Sequence, residues 1–144
     1  MQTPTARTAT RLAIEYLLIT LPIVIYATLE AIHQHRAALL LLSPEWSIAT
    51  VFLALQTVRL FVEGMDRLRG RLLAVVLVIV QVVLISSASI NIYMGLEAGI
   101  ETQSWPLLAT RWTLLAIASL FFVCFAGSAI WSEEREATAP GSHP

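Results

Sequence analysis

The sequence predicts an all-α membrane protein, an up-down bundle of four transmembrane helices with both termini cytoplasmic. Three observations lead there. Of 144 residues, 57% are hydrophobic and only 13% are charged, against roughly 45–50% and 25% in soluble domains. The mean hydropathy is +0.74. The apolar residues also fall into four stretches near the roughly 20 residues that a helix needs to cross a bilayer. This composition excludes an ordinary cytosolic enzyme, a nucleic-acid binder and a disordered regulator, because too little charge is present to clothe a soluble surface.

The four spans are expected at about 12–33, 44–63, 72–94 and 105–131. The first begins after Arg7 and Arg11 and carries Glu15 and Glu30 toward its ends. It is longer than the roughly 7–15 apolar residues of a secretory leader, so it reads as an uncleaved span. The second opens on Ser43-Pro44-Glu45, a cap residue, a first-turn proline and an acid suited to the helix dipole. It carries Arg59 near its end, and Gly64 suits its termination. Residues 72–96 and 112–132 contain no charged side chain. The fourth span starts at Ser104-Trp105-Pro106 in the manner of the second. Leu39–Leu42 is apolar but too short to span, and either lies in the interface or extends the first helix. Residues 133–144 are expected to form a disordered cytoplasmic tail.

Arginine placement gives the orientation. All nine basic residues are Arg. Arg7 and Arg11 precede the first span, and Arg67, Arg69 and Arg71 crowd the connection between the second and third. The connection between the third and fourth has Glu97 and Glu101 and no base, and Arg36 is the only base between the first and second. The positive-inside rule then puts both termini in the cytoplasm, with the chain multi-pass in the inner (plasma) membrane. Trp46, Tyr93, Trp105 and Trp112 fall near the outer boundary and Tyr16 and Trp131 near the inner one, as aromatic belts require.

Polar residues within the spans mark any mechanism, because each is costly in hydrocarbon unless paired or near the surface. Depth permits Glu15 to pair with Arg59 and Glu30 with Arg111. Gln56, Arg59 and Glu63 share one face of the second span at spacings of 3 and 4. In the third span Gln81 stands near mid-membrane and Asn91 nearer the outer end. Gln81 aligns with Ile85 and Ala88 while Asn91 aligns with Ser87, so the polar groups are not expected to form one stripe. Glu15, Glu30, Gln56, Arg59, Gln81, Asn91 and Arg111 are thus the candidate pore or helix-pairing residues. Close helix contact through hydrogen bonds is the plainer role for Gln81 and Asn91. In an oligomer Gln81 would be the pore constriction.

No cofactor or metal is expected. Glu30 and His33 have the spacing of half a di-metal carboxylate site, but the complementary half is missing. Cys124 is the single cysteine. Nucleotide-binding and hydrolase motifs are absent, so no enzyme is indicated. The expected partners are the lipid bilayer and either further copies of the chain or other membrane subunits, with no nucleic acid. In length and layout the chain resembles small membrane proteins of phage exclusion and defence that depolarise the membrane when triggered, a likeness of architecture carried by no motif. It implies a homo-oligomeric ion-conducting pore or membrane-perturbing effector. The alternative is a non-catalytic accessory or scaffold subunit of a respiratory, transport or defence complex.

Overall fold

A computed structural model of the chain describes residues 4–37, 39–63, 71–98 and 104–137. All regular structure among them is helical: α1 (Pro4–His33), α2 (Leu39–Leu42), α3 (Glu45–Glu63), α4 (Arg71–Ala98), α5 (Trp105–Phe121), a π-helical segment (Phe122–Ala126) and α6 (Gly127–Ala137). Four helical stretches are long and apolar enough to span a membrane: Thr5–His33, Glu45–Val62, Ala74–Glu97 and Trp105–Ser132. Arg67, Arg69, Gly64, Glu101 and the end of the expected tail lie outside the described residues.

The helices run longer than the apolar stretches alone indicate. The first begins at Pro4, eight residues of polar and small side chains being carried into a helix whose remainder is apolar. At 30 residues α1 is about 45 Å long. The third span runs on to Ala98, and the last helix passes the expected boundary at 132 to reach Ala137. The tail is therefore helical in its first part.

Leu39–Leu42 forms a helix of its own rather than extending α1. The break has a local cause. His35 takes a φ of 52°, and the His35 and Arg36 amides donate to the carbonyls of Ile32 and Ala31 at 3.1 and 3.0 Å. This is a Schellman end, with histidine in the left-handed position that glycine usually fills. The start of α5 follows the sequence signals more loosely. Ser104 is extended and its carbonyl receives the Leu107 and Leu108 amides, but its hydroxyl makes no capping bond.

α3 is the central element and packs against α1, α4 and α5. Ala49, Leu53 and Leu60 of α3 meet Leu115, Ala118, Phe122 and Ala126 of the last helix in the main core, joined by Ile23 of α1. A smaller cluster gathers Phe61 with Ala74 and Leu77, flanked by Phe121 and Phe125. The buried alanines allow close approach of backbones, which matters where lipid is as apolar as the side chains and packing replaces water exclusion. Leu12 meets Gly127 and Tyr16 bonds Ser119. Ser47 bonds Asn91, while Phe61 packs with Ala74. Trp46 lies tilted against Trp112, and Phe61 meets Phe125 edge to face.

The π segment was not signalled by residue type. The segment seats Phe122 and Ala126 in the main core, while Phe121 and Phe125 stack on each other at 5.5 Å and pack against the cluster of Phe61. Cys124, in the same segment, is exposed.

Candidate functional site

Seven buried positions on α4 form one seam: Ala74, Leu77, Gln81, Leu84, Ala88, Asn91 and Gly95. They alternate steps of three and four, the pattern of a heptad seam. On α3 the matching row is Ser47, Thr50, Ala54, Thr57 and Phe61. This corrects the expectation that Gln81 and Asn91 occupy different faces. A straight helix of 3.6 residues per turn separates them. A pair of helices following a 3.5-residue seam brings both to the interface.

At one end of the seam Asn91 organises a buried polar cluster. Its Oδ1 accepts from Ser47 Oγ at 3.0 Å and from Arg111 Nε at 3.1 Å. Its Nδ2 donates to the Leu107 carbonyl at 3.0 Å. Arg111 is 0% exposed. Its Nη1 donates to the carbonyl oxygens of Leu42 and Ser43, the latter at 3.1 Å. These carbonyls close the short helix α2, so a cation sits where the helix dipole is negative. Trp46 Nε1 donates to the Leu40 carbonyl at 2.7 Å, and its ring lies 5.2 Å from that of Trp112. Arg111 thereby ties α5 to α4 and to the α2–α3 corner through a fork that a lysine could not copy.

Glu45 joins Glu30 as a second acid at this end. Glu45 lies within electrostatic reach of Arg111, and its Oε2 is buried and accepts no hydrogen bond. Glu30 bonds Gln34 Nε2 at 3.0 Å and interacts with Tyr26 and Glu45. Ser43 and Glu45, which the sequence marks only as a helix start, complete this cluster with Ser47, which carries no signal in the sequence.

Gln81 is also 0% exposed, and neither its Oε1 nor its Nε2 has a hydrogen-bond partner. By the register that joins Ser47 to Asn91, Gln81 is level with Thr57, whose hydroxyl is committed to the Leu53 carbonyl at 2.7 Å. A constriction formed by Gln81 between subunits would need an outward side chain. It is turned instead into the chain's own α3–α4 interface.

The remaining candidates lie toward the other end of α3. Gln56 Nε2 donates to Glu15 Oε2 at 3.1 Å, joining α3 to α1. Both are half-buried, and Arg59, one turn along from Gln56, is exposed. Among the described residues no group of His, Cys, Asp and Glu could hold a metal ion.

The outer surface contrasts with this interior. Large apolar side chains are exposed on every long helix, including Leu18, Ile79, Val83 and Leu120. The exposed hydroxyls of Thr28, Ser89, Thr110 and Thr113 each donate to the carbonyl four residues earlier. Such hydroxyls need no water and are compatible with lipid. No protein family, no curated protein and no solved structure matches this chain.

Proposed function

We propose that the chain is a multi-pass protein of the inner (plasma) membrane and a non-catalytic accessory subunit, which assembles with membrane partners or with its own copies through its apolar helix faces. The four spans alternate in direction, with both termini cytoplasmic. Support for the alternation comes from the contacts that join Leu12 to Gly127 but Tyr16 to Ser119, and Ser47 to Asn91 but Phe61 to Ala74. Arg7 and Arg11 at one end, against Glu97 at the other, support the orientation.

The observation that carries the assembly role is the division of polarity. Gln81, Asn91 and Arg111 are buried within the chain, and the outward hydroxyls of Thr28, Ser89, Thr110 and Thr113 are bonded to their own helices. A path between copies would therefore find an apolar wall along most of its length. Buried polar groups of this kind fix helix register and partner choice.

A second reading, the homo-oligomeric pore or membrane-perturbing effector, is favoured by one feature. Glu15, Gln56 and Arg59 give a partly exposed polar patch on α1 and α3. The two readings part on purification in mild detergent. A stable complex with unrelated membrane subunits supports the accessory role. A closed homo-oligomer whose ion flux falls in Arg59→Ala supports the pore.

A further inference from the structure

Near the start of the first span, α1 and the last helix part to leave a cleft of about 540 Å³. Ala9, Leu12 and Ala13 form one wall and Phe122 and Val123 the other, and its polar side chains are those of Tyr16 and Ser119. The two hydroxyls bond each other at 3.1 Å. We propose that this cleft binds the ring of a lipoquinone, with one ring carbonyl accepting a hydrogen bond from the Tyr16–Ser119 pair. The proposal rests on the membrane-spanning reading given above.

The hydroxyl pair is one acceptor short. It carries two O–H groups, and the bond between them uses one, whichever atom donates. Among the described residues neither hydroxyl makes another hydrogen bond. Thr28 and Thr113 differ, since their hydroxyls bond their own helices. One O–H of the pair is therefore left to seek an acceptor, and hydrocarbon has none. An otherwise apolar ligand that carries a carbonyl supplies it.

Depth and shape select the ring. Tyr16 lies one turn further into the span than Leu12, about 6 Å along the axis. A glycerophospholipid keeps its ester carbonyls at the edge of the hydrocarbon, so only its methylenes would reach the hydroxyls. A partner helix, about 10–12 Å across, is too thick for the cleft, and its carbonyls are committed to its own amides. A quinone is flat and enters with a carbonyl leading. Ala9 and Ala13, four residues apart on α1, leave room for a ring to lie against the helix. The rings of Tyr16 and Phe122, tilted at 52° with centroids 5.9 Å apart, add aromatic surface. The volume falls in the range of roughly 300–1,000 Å³ that small-molecule sites occupy.

The test is native mass spectrometry of the full chain in mild detergent with decylubiquinone, and separately with decylbenzene, which has a ring and a tail but no carbonyl. One decylubiquinone per chain is expected to survive gentle activation, with decylbenzene retained about fivefold less. Removing both donors together, Tyr16→Phe with Ser119→Ala, should lower quinone retention about fivefold. Ser119→Ala alone should lower it little, because the Tyr16 hydroxyl released from the pair still donates. Ala13→Trp, which fills the cleft and leaves both hydroxyls in place, should displace the quinone. Equal retention of the two probes, or unchanged quinone retention in the double variant, overturns the proposal. An alkaline wash of vesicles separates the two layers of the claim. Release of the chain sinks the membrane reading itself, whereas a chain that stays embedded and does not prefer the quinone sinks only the quinone site.

Discussion

Arg111 stands in a place where an unpaired cation would be prohibitive, and the surrounding residues exist in forms that accept its protons. Asn91 supplies the acceptor for Nε, and the carbonyls that end α2 supply those for Nη1. Replacing Asn91 by Leu removes that acceptor and strands Ser47 Oγ, which bonds the same oxygen. A loss of about 2–3 kcal/mol is expected, since hydrogen bonds to charged groups are worth more than neutral ones. Thermal unfolding in detergent, followed by the fluorescence of the neighbouring Trp46 and Trp112, measures it. Arg111→Lys should be nearly as damaging despite keeping the charge. His35 offers the opposite sign. Its left-handed backbone strains any side chain, so His35→Gly should raise stability by about 0.5–1 kcal/mol in the same melt. The sequence marked Arg111 and Asn91 as worth attention because each is polar within an apolar run. It could not show that they touch, because their meeting depends on how α4 and α5 pack. Nor could it reveal the carbonyl acceptors, which belong to the backbone and carry no residue signature.

Among the elements, α4 best illustrates what periodicity can and cannot reveal. A span was legible from its length of uncharged residues, but its buried face was not. Gln81 and Asn91 are ten positions apart, and a straight helix turns them away from each other. Only the 3.5-residue seam with α3 unites them, and supercoiling is a property of the pair. Gln81 is the weak point of that seam, with two amide atoms lacking partners. Gln81→Leu keeps the volume and removes the unpaired groups, so it should stabilise the fold by about 1–3 kcal/mol. A drop in melting temperature would mean that the amide is satisfied in the membrane and holds the helices together. The π turn in the last helix was invisible for a related reason. Phe122–Ala126 contains no residue that demands a wide turn, and within it Phe122 and Phe125 pack against two different clusters.

For the whole molecule, composition and arginine distribution were the strongest guides. Four long apolar helices follow from the hydropathy pattern, while the order in which they pack, with α3 at the centre, does not. α3 is the least hydropathic span and the most buried of the four, as suits a helix surrounded by its neighbours. The proposed orientation predicts that, in a Cys124→Ser background, a membrane-impermeant maleimide added outside intact cells labels Gln34→Cys and leaves Thr5→Cys unlabelled until the membrane is opened. The reverse pattern would invert the topology. The proposed accessory role, in which the exposed apolar surface packs against other helices, predicts a chain that does not conduct by itself. The most direct test is potassium efflux from proteoliposomes reconstituted with the purified chain. Efflux equal to that of protein-free vesicles, unchanged in Gln81→Leu and Arg59→Ala, is the predicted result. Efflux well above that baseline and reduced by either substitution would contradict the account.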